Sequence, residues 1–148
     1  MYEPRAILRE RIVTELRDEY AMRVRVALRA FWALYDMRHL LNPFRYGMYS
    51  WQLFSHKVLR YVAFAPLGCA LAFNALLWSS GTIYQALLVA QLAFYALACL
   101  GYTAAFGSQH LVPLRLPQYF VLLNVACAHA FVKFLGGKKQ TVWRPRTG

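Results

Sequence analysis

After Asp36 the chain contains no acidic residue. Its six Asp and Glu lie at or before that position, whereas the 17 Lys and Arg continue almost to the last residue. Constellations that need paired carboxylates are therefore missing. Asp18 and Asp36 are separated by a helical stretch, and no Asp-x-Asp pair is present to hold a divalent metal. Phosphate-cradling glycine loops, a P-loop lysine motif and a Gly-x-Ser-x-Gly nucleophile elbow are absent as well. Cys69, Cys99 and Cys127 sit singly in apolar stretches without Cys-x-x-Cys spacing. That indicates neither a disulfide framework nor a zinc site, and they read as small buried hydrophobes. The first residues alternate acidic and basic without the apolar run of a signal peptide. Glu15, beside Thr14 and without a partner, reads as part of a solvated helix face. No catalytic residue and no metal ligand is assigned in this chain.

What is abundant is apolar surface. A length of 148 residues would allow a soluble domain, but 59% of them are hydrophobic and only 16% charged, and long apolar runs coexist with a net charge of +11. A soluble protein cannot hide that much apolar surface, whereas one embedded in a bilayer need not. The cations would suit either nucleic acid or an anionic membrane surface. Because they flank apolar runs, membrane lipids are the expected partner and nucleic acid is set aside.

Residues 2–8 read as a short extended segment. A helix is predicted from about Leu8 to Tyr35, with a break near Asp18 left open. Tyr20, Val24, Leu28, Phe31 and Tyr35 recur at three- and four-residue steps, while Arg25, Arg29 and Asp36 project oppositely and Trp32 lies at the edge. This is the pattern of a helix lying on a membrane surface or against another domain. Leu41-Asn42-Pro43 stops it, and a loop to Gly47 follows. A second amphipathic helix is predicted from Ser50 to about Arg60, with Gln52, His56 and Arg60 stacked at four-residue steps.

Three spanning candidates follow: residues 61–78, containing Pro66 and Gly68; residues 82–106, free of charge; and residues 118–135, weakened by Asn124, His129 and Lys133. Residues 79–81 form a turn, and 107–117, with two prolines and Arg115, a loop. The predicted fold is an all-α membrane protein, with two amphipathic interfacial helices followed by two or three transmembrane helices. By region, 11–60 is interfacial, 61–135 transmembrane and 136–148 a basic tail.

The cations before Tyr61 place the N-terminal region in the cytoplasm and the uncharged turn at 79–81 outside. Three full crossings would then put the tail's Lys138, Lys139, Arg144 and Arg146 outside. Either the third segment crosses and breaks the charge rule, or it is re-entrant. Three crossings are favoured, because a lipid-facing re-entrant segment leaves backbone groups unsatisfied.

Two basic sets are binding candidates. Arg23 and Arg25, with Arg29 nearby, carry guanidinium forks that match phosphate geometry; lipid-headgroup anchoring accounts for them equally well. His56, Lys57 and Arg60 form a cluster at the membrane edge, where snorkelling and topology setting are the simpler role. His129 and Lys133, on one face inside an apolar run, are functional candidates because ionisable groups there are costly. Asn124 is expected to bond a neighbouring helix.

The string YEPRA…RE…DEYAMRVRV resembles the junction between catalytic and membrane portions of processive and semi-processive family 2 glycosyltransferases. The resemblance continues through Leu40-Leu41-Asn42-Pro43, Ser55-His56-Lys57-Val58-Leu59-Arg60, Gly136-Gly137-Lys138 and Trp143-Arg144-Pro145-Arg146, so it covers essentially the whole chain. It implies a polysaccharide or glycolipid synthase of the bacterial inner (plasma) membrane, transferring sugar from a nucleotide-sugar donor to a glycan or lipid-linked acceptor. Residues 1–10 would be the end of a missing catalytic domain, which would carry the Asp-x-Asp metal site for Mg or Mn. By resemblance, Arg23 and Arg25 would help bind the donor diphosphate, and the partners would be that domain and the acceptor. The Gln-x-x-Arg-Trp box of cellulose-synthase types is absent, since Val26 follows Arg25. No cofactor is expected in this chain, which should be inactive alone. The alternative is a small basic membrane subunit that stabilises a larger complex without touching sugar.

If the apolar runs insert, carbonate extraction leaves the chain in the membrane fraction. A cysteine replacing Ser80 is then expected to react with an impermeant maleimide from the outside only; labelling from the cytoplasm alone would reverse the orientation.

Overall fold

The computed structural model describes residues 16–104 and 112–139. The extended segment at 2–8, the start of the first helix, the connection at 105–111 and the tail beyond 139 lie outside the described residues. Among the described residues all regular structure is helical, as the sequence pattern requires.

Helix α1 spans Leu16–Asp36, with Asp18 and Glu19 in its first turn, where the helix dipole favours negative charge. It runs through Asp18 without a break. Its buried face is Val24, Ala27, Leu28 and Phe31. Tyr20 packs beside that face, whereas Tyr35, at the end of the stripe, is half exposed. The face lies against the chain's own last helix.

A 3-10 turn at Arg38–Leu41 leads to the short α2 at Pro43–Tyr46. The Asn42 side chain accepts a hydrogen bond from the Phe44 backbone N–H at 3.0 Å, with Pro43 in the first helical position. Pro43 thus starts a helix where the sequence suggested only a stop. Gly47, at φ +53°, takes the positive φ that turns the chain into α3, Met48–Leu53. Ser50 is 2% exposed. Its Oγ lies 2.7 Å from the Leu40 carbonyl oxygen and 2.9 Å from that of Asn42, tying α3 to the preceding turn.

The chain continues from α3 through a π-helical turn at Phe54–Val58 into α4, Leu59–Val62. It then bends by 57° into α5, Phe64–Leu76. Pro66 accounts for the bend: it has no N–H for the Val62 carbonyl, and its ring crowds that carbonyl. The spanning candidate at 61–78 is therefore interrupted. The 13 residues of α5 reach about 20 Å at 1.5 Å each, short of a hydrocarbon core of about 30 Å. Only Met48–Val62 and Phe64–Leu76 together are long and apolar enough, as a broken span or a re-entrant element.

After a 3-10 turn at Trp78–Ser80 and Gly81, α6 runs from Thr82 to Ala104 and α7 from Val112 to Leu135. Both are long and apolar enough to cross a membrane. Residues 112–117, predicted as part of a loop, belong to α7. Pro113 falls in the first turn of α7, where N–H groups have no intrahelical partner, and Pro117 removes one hydrogen bond near that end. Because α7 is unbroken over 24 residues, the interrupted segment is the first candidate and not the third.

Packing centres on α7. Its first turns meet the end of α6, where an added Cβ on Gly101 would lie 2.9 Å from the Leu114 carbonyl oxygen and 3.3 Å from Gln118 Cβ. Ala126 and Ala130, both 0% exposed, take the buried face of α1. Beyond them Phe31 packs on Phe131 and Phe134 at 5.4 and 5.8 Å between ring centroids, and on Tyr61 at 6.0 Å. The C-terminus of α7 closes with Gly137 at φ +67°. Lys138 N–H bonds the Lys133 carbonyl at 3.0 Å, and Gly137 N–H bonds that of Phe134 at 2.9 Å, the pairing of a Schellman cap. Trp32 Nε1 donates to the Lys138 carbonyl at 3.0 Å, and the Lys139 ammonium lies 4.6 Å from the Trp32 ring centroid.

Elsewhere the helices present Phe73, Leu76, Ile83, Leu87, Leu116 and Val132 outward. That much outward apolar surface suits lipid and not water.

Gly101→Ala is expected to destabilise the α6–α7 contact by about 1–3 kcal/mol, because backbone and not a flexible side chain must give way. Gly68→Ala, with nothing within 4 Å of the added Cβ, is the matched control and should be neutral or mildly stabilising. SDS-induced unfolding of the chain in detergent micelles compares the two; equal effects would contradict the close approach.

Candidate functional site

A cleft of about 240 Å³ opens between α1, α4 and α7. Arg23 and Arg60 both line it, with Tyr61, Phe120, Asn124 and Cys127. Arg23 is held from two sides. Its Nε and Nη2 lie 2.7 Å from Glu19 Oε1, one turn earlier, and Nη2 also donates to the Tyr119 hydroxyl of α7. Both ion-pair side chains are largely screened from solvent, 31% and 17% exposed. Arg60 approaches from α4, exposed and just beyond the π-helical turn. Among the described residues the Arg23–Glu19 pair is the sole ion pair, so Arg60 has no counter-charge there.

The arginines therefore group differently from the sequence expectation. Arg23 and Arg25 stand two residues apart on one helix, and that spacing places side chains on opposite flanks. Arg23 lines the cleft, while Arg25, half-buried, and Arg29, exposed, do not. One ligand on one side of α1 cannot take both Arg23 and Arg25. The membrane-edge cluster divides as well. His56 and Lys57 are exposed on the π-helical turn, and Arg60 alone of the three reaches the cleft. A π turn holds more residues than an α turn, so four-residue steps through it do not stack Gln52, His56 and Arg60.

The sequence-predicted polar groups of α7 divide between local and inter-helix use. Asn124 Nδ2 donates to the Phe120 carbonyl of its own helix at 2.9 Å, not to a neighbouring helix. His129 Nδ1 lies 2.8 Å from the Tyr20 hydroxyl, tying α7 to α1. Lys133 is half-buried beside the same seam, and its carbonyl serves the C-terminal cap. Among the described residues no group of three or more His, Cys, Asp or Glu is placed to hold a metal ion.

Two features escaped the sequence reading. Glu19 as the partner of Arg23 was legible from their four-residue spacing, whereas Tyr119 carries no signal of its own. The second is an apolar cavity of about 410 Å³ where the start of α1 meets the end of α6 and the start of α7, lined by Leu16, Tyr20, Cys99 and Gln118. Gln118 Nε2 is buried there without a hydrogen-bond partner among the described residues.

Removing the Tyr119 hydroxyl by Tyr119→Phe is expected to cost about 0.5–1.5 kcal/mol. Glu19→Gln should cost about 1–3 kcal/mol, since it leaves a largely screened guanidinium without its carboxylate. In a double-mutant cycle followed by SDS unfolding the two should couple; strict additivity would mean that they do not share Arg23. Set against models of known families, curated proteins and solved structures, the chain matches none.

Proposed function

We propose that this chain is the membrane module of a family 2 glycosyltransferase of the bacterial inner membrane. It anchors the enzyme and positions a glycan or lipid-linked acceptor while a separate catalytic domain transfers sugar from a nucleotide-sugar donor. The observation that carries the reading is the meeting of two family-like blocks, far apart in sequence, at one cleft. Arg23 comes from the DEYAMRVRV block, and Arg60 ends the SHKVLR block, whose first residues make up most of the π-helical turn. Turns of this kind occur frequently at functional sites. Two further blocks have structural uses: Leu40 and Asn42 receive Ser50, and Gly137 caps α7 just before the Lys138 carbonyl that accepts from Trp32.

In this scheme the catalytic domain would hold Mg or Mn, which would supply positive charge to the leaving diphosphate. Because Arg23 and Arg25 occupy opposite flanks of α1, they serve different groups. Arg25 is assigned to the donor diphosphate, on the flank away from the cleft, with the N-terminal region in the cytoplasm. A guanidinium aimed at charge that grows in the transition state acts mainly on turnover.

With the catalytic polypeptide joined to or coexpressed with the chain, Arg25→Ala is expected to lower nucleotide-sugar turnover about a hundred- to a thousandfold, or about 2.7–4 kcal/mol. Arg45→Ala, on the short α2, should change it little. Equal and small effects would leave Arg25 as an anchor and favour the non-enzymatic membrane subunit.

A further inference from the structure

We infer that the cleft between Arg23 and Arg60 binds the phosphate headgroup of an anionic membrane lipid. Three features select that ligand. The first is charge. Arg60 stands at the cleft without a counter-charge among the described residues, and Arg23, its Nε and Nη2 engaged by Glu19 and Tyr119, keeps Nη1 without a partner among them. A guanidinium already fixed loses little freedom when it takes a phosphate oxygen. The second is the wall. Beside the arginines the cleft is lined by Val26, Ala27, Phe120 and Leu123, which would accept the first methylenes of an acyl or isoprenoid chain. The third is size. At about 240 Å³ the cleft is smaller than the sites that enclose whole drug-sized molecules, about 300–1,000 Å³. It holds a headgroup and the start of a chain and leaves the remainder in the bilayer.

Arg60 follows the exposed His56 and Lys57 of the π-helical turn and precedes the bend into the apolar α5. The lipid site uses the cleft on which the sugar-transfer reading also draws, but the two tests address opposite flanks of α1, Arg23 with Arg60 here and Arg25 there, so either can fail alone.

Cys127, half-buried in the cleft, supplies a local readout. The chain carrying Cys69→Ser and Cys99→Ser is reconstituted in phosphatidylcholine vesicles, and the rate of Cys127 alkylation by N-ethylmaleimide is followed as phosphatidic acid is added. General attraction to the charged surface amounts to about a fivefold effect per cation. A paired-arginine site should slow alkylation by about tenfold or more. Arg60→Gln and Arg23→Gln are expected to abolish the protection, Arg60→Lys to keep part of it and Arg45→Gln to keep all of it. Should Arg60→Gln and Arg45→Gln behave alike, the lipid is sensed only as surface charge and the site is refuted. Protection by inorganic diphosphate in pure phosphatidylcholine, equal to that by the lipid, would refute the lipid and assign a soluble anion. Arg60→Lys also guards against misfolding, since a variant that loses protection while a charge-conserving one retains it has kept its cleft.

Discussion

Two alanines on α7 set the geometry from which the rest follows. At Ala126 and Ala130 nothing larger than a methyl group stands between α7 and α1, so the helices approach closely and Val24, Leu28 and Phe31 close over the contact. In lipid, helices do not gain from expelling water, and association rests on such close van der Waals packing and on hydrogen bonds between helices. The seam has both, with Tyr20 on His129, between the two alanines, and Arg23 on Tyr119, two turns before Ala126. Once α1 is seated, the position of α4 follows, because Tyr61 packs on Phe31. The two-arginine cleft is thus a product of the seam, with one wall belonging to each of three helices.

The seam also constrains where α1 can lie. Its first turns share a cavity with Gln118 and Val121, and its last turns reach Phe134 and Lys138. It therefore accompanies α7 for most of its length and in the same direction. Arg25 and Arg29 stand on the side away from α7. A cation exposed to the centre of the hydrocarbon costs about 2.5–3.5 kcal/mol even on the lenient insertion scales. That side of α1 accordingly faces water, headgroups or another protein surface.

Much of the architecture was legible in the pattern of residues. The uncharged run from Thr82 announced α6, and the apolar steps from Tyr20 to Phe31 announced the buried face of α1, though not its partner. Less legible were features in which backbone chemistry overrides pattern. Pro66 looked harmless in an apolar run, yet it bends the first segment. Pro113 and Pro117 suggested a loop, but a helix's first turns tolerate proline. The π-helical turn defeats any reading based on a fixed period, so Arg60 could not be separated from His56 and Lys57 by spacing. Arg23 and Arg25 were grouped by proximity in sequence, although the helix they occupy parts them. Arg23 and Arg60 meet only through tertiary packing, which no local pattern contains.

The hydrogen bond from Trp32 to the Lys138 carbonyl bears on membrane topology as well as on packing. It joins the last turns of α1 to the first residues after α7, so Lys138 and Lys139 fall beside the segment that carries Arg38. In a tally of charge across a bilayer these cations belong to one block and cannot be counted on opposite faces. With the tie outside the hydrocarbon, the chain between its two ends must cross an even number of times. If α6 and α7 both cross, the bent pair before them must return to the side from which it entered, and the 79–81 turn then shares the side of the N-terminal region, contrary to the expectation from charge. A single indole-to-carbonyl bond thus links the conflict over the basic tail to the 57° break at Ala63.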